Sequence, residues 1–474
     1  MTALTTPSRD QIERQLAVAF QAAGHDLYLV GGALRDELLG VATFDLDYAT
    51  SAPPDQTLAI LESLDRGRPY RVGERFGTIG EMIGPFRVEI TTYRGENYRA
   101  GSRKPEVKFG ESLAEDLERR DFTVNAMARN TVTREMIGLL GAQQDLLGRI
   151  LRAVGNPAER FREDPLRLLR GVRFASTLGF TIESDTWDAT KSIASQLPTI
   201  SKERIRDELN EMLISPARAQ AFELLRDSGL LQYAAPTLLE LTLMPDHGPR
   251  HPLSLWEHTM KAVNGVAGRV RRVEVGKVED EQLALLWAAL LHDIAKPSTR
   301  TFEPDGRPRF FHHEERGAEM AGEMLRSLRH PSRLVETAQL LVGTHMQLHA
   351  YTPTWSDGAV RRLMLRLGDH LQAALILARA DAAAHALEGP GQFAHRYDQL
   401  EERIGAVSTE PKEMLRSPLT GKQLMDRYGL APGPGVGELK DALREEVIEG
   451  RLASGDIEGA WEIADRLVGE QGRG

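Results

Sequence analysis

Asp45 and Asp47 stand two residues apart in the run Phe44-Asp45-Leu46-Asp47-Tyr48. Such alternation of apolar and acidic residues reads as a half-buried strand, in which positions i and i+2 share a face. Both carboxylates then point one way, and Phe44, Leu46 and Tyr48 point toward a core. Carboxylates held side by side repel each other unless cations lie between them. Mg²⁺ suits this arrangement, because it takes one or two carboxylates and completes its shell with substrate phosphates. Two Mg²⁺ ions can activate an attacking hydroxyl and steady a departing pyrophosphate in an in-line displacement. Glu89 lies on the polar face of a second alternating run, with Val88 and Ile90 opposite, and is the candidate third carboxylate.

Upstream, the apolar run Leu27–Val30 meets Gly31-Gly32 and then a helical stretch containing Arg35. Unhindered backbone N–H groups at such a turn, with a helix dipole behind them, form a cradle for phosphate. Arg35 falls on the first helical turn, where its charge can assist. A glycine pair or an Asp-x-Asp alone is common; the two in short succession form a more specific combination.

A second constellation lies far downstream. His292-Asp293 closes the apolar run Leu283–Leu291, and two adjacent polar groups ending a buried helix are costly unless something binds them. His258 and Asp381 are the candidate partners, with His313 and His345 falling between them in the chain. A set of imidazoles and carboxylates suits a transition metal (Ni, Mn, Co or Zn) better than Mg²⁺. His312, His349 and His385 are expected to be ordinary helix or surface histidines.

The elements that must hold these groups differ along the chain. Up to about residue 130, short apolar runs alternate with glycine and turn signals, as in a small α/β unit. Beyond about 150 the pattern is helical almost throughout. The prolines of 245–252 and the charged stretch 269–281 act as breakers, and a turn at Ala431–Gly437 with Pro432, Gly433 and Pro434 interrupts the last helices. At 474 residues, two to four domains are expected. With 41% hydrophobic and 27% charged residues the composition is that of a soluble globular protein, and the absence of cysteine excludes disulfides and thiolate metal sites. The first residues lack a basic start with an apolar run, and no stretch has the length of a membrane span, so a cytoplasmic protein without a membrane partner is expected. No obligate protein partner is evident.

The net charge of −10 argues at first against a nucleic-acid partner, yet seven arginines between Arg149 and Arg173 face only Glu159, Glu163 and Asp164. A local basic stripe matters more than the global sum. Within it, Asp164-Pro165 reads as a helix start, with Asp as N-cap and Pro at the first helical position. Arg167, Arg170 and Arg173 then recur every three residues along one side.

The segments Gly31–Gly40, Phe44–Pro54, Glu118–Ala128 and Glu163–Ala175, in this order and spacing, resemble the successive motifs of the bacterial tRNA CCA-adding enzyme and poly(A) polymerase family. The resemblance runs over most of residues 25–235. It implies an α+β protein: a nucleotidyltransferase head with a mixed sheet (1–135), then an elongated all-α neck (136–200), a helical body (201–250), an HD domain (251–390) and a helical tail (391–474). It implies that Asp45 and Asp47 hold the catalytic metals, and that Gly31, Gly32, Arg35, Asp36, Arg120 and Asn125 hold the incoming nucleotide. Asp164 and Arg167 match the positions that read the base of CTP or ATP in place of a nucleic-acid template, with Arg170 and Arg173 contacting nucleotide or phosphate. The partner would be the tRNA 3′ end, and the product a CCA terminus. An A-adding enzyme or a bacterial poly(A) polymerase is the neighbouring alternative.

By the same resemblance, the polar stretch Arg94–Pro105 is the mobile loop linked to switching from CTP to ATP. Gly138–Ala142 departs from the Asp-Pro-plus-glycine pattern of relatives. The order of His258, His292-Asp293 and Asp381 resembles the HD phosphohydrolase domain, which would act on a phosphomonoester or a 2′,3′-cyclic phosphate. A phosphohydrolase whose head serves only to bind RNA is the reading from a different class, and the intact Asp45/Asp47 pair argues against it. In Arg119-Arg120-Asp121, a salt-bridged helix start capped by Asp121 is the alternative to nucleotide binding.

Overall fold

The computed structural model describes residues 7–72, 77–97, 106–109, 112–139, 141–244, 253–267, 280–385, 390–407 and 416–471. The chain is α+β and folds as two compact units, one built on residues up to Leu239, the other on those from Glu240, with Ser327–His330 belonging to the first.

The first unit opens with α1 (Arg9–Ala22), started by a capping box between Ser8 and Gln11. Then follow β1 (Leu27–Val30), α2 (Gly31–Leu38), β2 (Asp45–Thr50), α3 (Pro54–Ser63), β3 (Tyr70–Val72), β4 (Thr78–Ile83) and β5 (Phe86–Thr92). A two-stranded ribbon, β6 (Arg94–Asn97) with β7 (Glu106–Phe109), precedes α4 (Leu113–Glu118), β8 (Met127–Asn130) and β9 (Met136–Gly138). The ribbon takes the two ends of the stretch expected to be a mobile loop, whose middle lies outside the described residues. One seven-stranded sheet runs in the order β3-β4-β5-β2-β1-β8-β9. It is mixed: β2 and β5 are parallel, and its other pairs are antiparallel.

The alternation read in β2 and β5 holds. Leu46, Tyr48, Val88 and Ile90 are buried on one face, while Asp45 is exposed and Asp47 and Glu89 are half-buried on the other. That second face is not bare. Two residues beyond Asp47, Ala49 joins Val30, Tyr93, Leu117, Ala126, Ala128 and Val154 in an apolar cluster. The carboxylates thus stand where this cluster gives out.

The helices that follow are α5 (Ala142–Leu147), α6 (Pro157–Glu163), α7 (Leu166–Leu178), α8 (Ser184–Ile193), α9 (Lys202–Ile214), α10 (Arg218–Asp227), α11 (Leu231–Ala234) and α12 (Pro236–Thr242); β10 (Ile150–Leu151) pairs with β11 (Thr181–Ile182). Gly141, at φ +84°, starts α5 within the stretch that departs from the family pattern. The α7 start differs by one residue from expectation. Pro165 is the cap, and Asp164 sits before it in extended conformation, yet its side chain still accepts from Leu166 N at 3.1 Å. Gly171 lets α7 lie against the Phe122 ring, where a Cβ would stand 3.2 Å from it.

In the second unit, α13 (Leu255–Ala267), α14 (Asp280–Leu291), α15 (Lys296–Thr299), the hairpin β12 (Arg300–Phe302) with β13 (Pro308–Phe310), α16 (His313–Ser327), α17 (Ser332–His349), α18 (Asp357–Leu367), α19 (Leu371–Ala384) and α20 (Pro390–Val407) follow in order. All of Leu283–Leu291 is buried, which makes α14 the central helix. The breakers expected at 245–252 lie outside the described residues, as does most of 269–281. α21 (Gly421–Tyr428), α22 (Pro434–Ile448) and α23 (Ile457–Gln471) share a small core around Leu424, Leu443 and Ala460. The turn expected over Ala431–Gly437 ends at Gly433, because Pro434 takes the first helical position, where its missing N–H costs nothing, and the helix runs on through Gly437. Among the described residues no helix is long and apolar enough to cross a membrane.

Candidate active and metal sites

The parallel register of β2 and β5 sets Asp45 beside Arg87 and Asp47 beside Glu89. Asp45 is open, with 71% of its side chain exposed. Asp47 is pushed up to about 6, first by burial and then by the Glu89 charge, with Asp45 adding to it. A carboxylate so crowded by like charge favours a cation. Arg87, which the sequence did not single out, supplies part of one: it holds Glu89 at 2.7 Å and comes within 3.9 Å of Asp45. Glu89 therefore lies next to the pair while one of its oxygens is already engaged.

β1 delivers the chain straight into α2 at Gly31, whose φ of +65° is the left-handed conformation that glycine adopts freely. A Cβ there would meet Arg120 Nη1 at 2.9 Å and stand 3.9 Å from Asp47 Oδ2. The glycine turn, Asp47 and Arg120 thus converge. Gly32 is adjacent, and a Cβ on it would lie 3.5 Å from Arg35 Nη2.

The remaining head residues form a chain of charged contacts. Arg35 donates to Asp36 Oδ1 at 2.8 Å and to Asn125 Oδ1 at 2.7 Å. Asn125 donates to Asp121 Oδ1 at 3.1 Å, and Asp121 Oδ2 accepts from Arg170 Nε at 2.8 Å. Burial alone would raise Asp121, but Arg170 and the hydrogen bond from Asn125 bring it down to about 2. Asp121 accepts from Phe122 N at 2.8 Å but caps no helix: Arg119 closes α4, the short 3-10 turn Thr123–Asn125 starts from Phe122 without a side-chain cap, and Asp116 pairs with both Arg119 and Arg120. The guanidinium groups of Arg35, Arg170 and Arg173 stack on the Phe174 ring at 5.3, 4.9 and 4.4 Å. Phe174 lay within a motif but carried no assigned role.

The basic stripe is largely neutralised. Arg152 pairs with Asp145, Arg160 and Arg167 with Glu163, Arg170 with Asp121, and Arg173 with Glu208 at 2.7 Å. Arg167 is nearly buried, and it also donates to the carbonyls of Arg160 at 3.0 Å and Arg119 at 2.9 Å. Asp164 faces Arg204 of α9, Nη2 to Oδ2 at 2.7 Å.

In the second unit the four residues picked from the sequence do meet, joined by two that were named only as lying between them. His258, His292 and Asp381 form one group that could hold a metal ion, and Asp293, His313 and His345 another; all six are buried. Asp293 links the two groups, its Oδ2 lying 3.1 Å from His292 Nε2 and its Oδ1 3.4 Å from His313 Nε2. The rings are oriented for ligation. Nδ1 of His292, His313 and His345 meets the carbonyls of Ala289, Phe310 and Val342 at 2.7–2.9 Å, which turns each Nε2 into the cluster.

Imidazole nitrogens then face each other at 3.3 Å in two pairs, His258 with His292 and His313 with His345. Asp381 Oδ1 is buried without an aligned hydrogen bond although His258 Nε2 lies 3.0 Å away. Such a donor set fits divalent metal. Burial opposes charge on His292, but Asp293 and Asp381 outweigh it and push the ring up to about 10, whereas burial and His292 push His345 down to about 3. Lys296 holds Asp293 Oδ2 at 2.7 Å. His349, expected to be ordinary, donates to Asp381 Oδ2 at 2.7 Å and meets Tyr397 OH through Nδ1 at 2.8 Å. His385, expected likewise, meets the Asp381 carbonyl through Nδ1 at 2.9 Å.

Comparison with known proteins bears on both units. Residues 27–152 match the poly A polymerase head domain, 179–241 the probable RNA and SrmB-binding site of polymerase A, and 250–385 the HD domain. The A-adding tRNA nucleotidyltransferase of Deinococcus radiodurans is 36% identical over 88% of this chain and 90% of its own length. The chain belongs to the tRNA nucleotidyltransferase and poly(A) polymerase family. The CC-adding tRNA nucleotidyltransferase of Thermus thermophilus is 34% identical over 90% of this chain and 91% of its own. The Bacillus stearothermophilus CCA-adding enzyme, solved in complex with CTP, superposes with a TM-score of 0.68 at 26% identity, over 99% of this chain and 100% of the other. The chain is therefore a nucleotidyltransferase with an RNA-binding segment and an HD domain, and its family uses divalent metal.

Proposed function

We propose that this protein adds the terminal CCA to the 3′ end of tRNA from CTP and ATP, with Mg²⁺ held at Asp45 and Asp47 and no nucleic-acid template. The observation that carries the reading is the convergence of Gly31, Asp47, Glu89 and Arg120 in the same compact unit as the α7 segment. When bound, two Mg²⁺ ions supply charge stabilisation to an in-line displacement at the α-phosphate. The chain's own residues do the rest: the Gly31-Gly32 turn receives the phosphates, Arg120 adds positive charge beside them, and Asn125 stands near the sugar.

Base choice falls to α7 and the residue before its cap. A carboxylate accepts but does not donate, and C and A share an exocyclic amino donor where U and G carry a carbonyl oxygen. Asp164 selects C and A on that ground, and Arg167 gives the base a donor by releasing Glu163. Arg170 and Arg173 hold the Phe174 ring that backs this surface.

The identity over 88% of the chain with a relative named A-adding favours a second reading, addition of the last A alone. One experiment separates them. Transcripts ending at the discriminator base, at C and at CC are incubated with CTP, ATP or both, and the ends are sequenced. Complete CCA on the shortest acceptor supports the first reading, and extension of the CC acceptor alone replaces it with the second. Long A tails on unrelated RNA would point to a poly(A) polymerase.

For the HD centre we propose hydrolysis of a phosphomonoester or 2′,3′-cyclic phosphate at an RNA end. His258, His292, Asp293, His313, His345 and Asp381 would hold a transition metal that supplies Lewis acidity toward the phosphoryl group. Hydrolysis of a 2′,3′-cyclic phosphate by the wild type but not by Asp293→Ala, across Mn²⁺, Ni²⁺, Co²⁺ and Zn²⁺, tests this.

A further inference from the structure

We infer that Arg204 is a positioning residue for base selection. It resides on a helix outside the reading motif and fixes the direction in which Asp164 presents its acceptor. The inference rests on Asp164 being the group that meets the base.

Arg204 grips Asp164 as a fork, Nη2 to Oδ2 at 2.7 Å and Nη1 to Oδ1 at 3.4 Å. The main chain supplies a third point, Leu166 N to Oδ1 at 3.1 Å. A carboxylate has about four lone-pair sites; Oδ1 spends both of its own on Leu166 N and Nη1, so Oδ2 keeps one for an incoming amino group, and rotation of the carboxylate about its last bond is blocked. Without the guanidinium, one main-chain contact remains and the carboxylate turns freely.

The helix behind Arg204 is built for this contact. Ser201 caps α9, accepting from Arg204 N at 3.4 Å, which fixes where the arginine leaves the backbone. One turn on, Glu208 takes Arg173 at 2.7 Å and Arg170 at 3.7 Å. Residues i and i+4 of α9 therefore present plus and then minus to the minus and plus of the reading segment, and this match sets the register between them. With half of its side chain exposed, Arg204 adds little to folding stability. Its removal tests orientation without the confusion of unfolding.

The experiment is a double-mutant cycle in the full-length protein. Arg204→Ala, Arg204→Lys, Asp164→Ala and the Arg204→Ala/Asp164→Ala pair are compared for CTP and ATP incorporation and for misincorporation of UTP and GTP, with thermal melts for each. Arg204→Ala should raise KM for CTP and ATP about tenfold, the scale of weakening one hydrogen bond to a charged group. Misincorporation should rise with it, while kcat and the melting temperature stay near wild type. Arg204→Lys should recover part of the loss, because a point charge attracts but does not fork. In the Asp164→Ala background, Arg204→Ala should change nothing further.

Unchanged KM and discrimination in Arg204→Ala would overturn the inference, as would an equal loss in both backgrounds, which would place its action elsewhere. If Asp164→Ala alone keeps wild-type discrimination, the assignment of base reading to Asp164 fails, and the role of Arg204 fails with it.

Discussion

The two candidate metal sites of this chain solve the same problem, holding like charges together, in opposite ways. In the head, the carboxylates stand on strands, Asp45 in the open and Asp47 half-buried, with Arg87 as neighbour. In the HD domain, six side chains from five places in the sequence are buried, and their outer atoms are tied to carbonyls, to Lys296 and to His349. Under the proposed function, the open site would leave a triphosphate and an RNA end to complete the shell of weakly held Mg²⁺. The closed site completes most of its shell itself. The difference teaches that exposure tracks what the substrate must contribute.

The largest expected effect tests whether the chemistry divides as the geometry does. Asp47→Ala should lower nucleotide incorporation about a thousandfold, the range for removing a group that stabilises transition-state charge, yet leave HD hydrolysis and the melting curve near wild type. Radiolabelled CTP incorporation and a cyclic-phosphate assay on the same preparation would show it; loss of both activities together would erase the contrast.

Asp293→Ala is the mirror experiment. It leaves Lys296 and His292 buried without their carboxylate, which costs about 3 kcal/mol, beyond the loss of metal. Metal analysis and thermal denaturation should therefore both respond. Asp47→Ala should change neither the transition-metal content nor the melting temperature.

A third prediction uses acid. Asp121 has its folded value depressed to about 2, against about 3.9 when unfolded. Its stabilisation is complete above pH 4 and disappears as pH falls through 2. The difference is worth about 2–3 kcal/mol. Asp121→Asn should thus be less stable than wild type at pH 6, and the gap should close on acidification, as followed by urea denaturation between pH 6 and 2.

The smallest expected effect sharpens the picture of the glycine turn. Gly31→Ala forces a side chain into the left-handed region and against Arg120, at about 1–2 kcal/mol. KM for the nucleotide should rise several-fold. An alanine enzyme with unaltered KM would show that the turn does not touch the phosphates.

Local patterns made much of this legible. The alternation around Asp45 and Asp47 fixed which face was wet, and the apolar stretch before His292-Asp293 announced a buried helix end. What stayed hidden were partners with no local signature. Arg87 matters because of strand pairing, Arg204 and Glu208 because α9 packs beside α7 and the residue before its cap, and His349 because a helix brings it to Asp381. The charge excess of the basic stripe was overstated for the same reason, since Asp121, Asp145 and Glu208, which neutralise three of its arginines, lie outside the window counted.

The parallel pairing of β2 with β5 carries one more consequence. Side chains in a strand alternate strictly, so inserting a single residue into β5 ahead of Val88 would bring that valine beside Asp47 and turn Glu89 into the core. Loops in this molecule are free to lengthen or shrink over time, whereas these two strands must keep count.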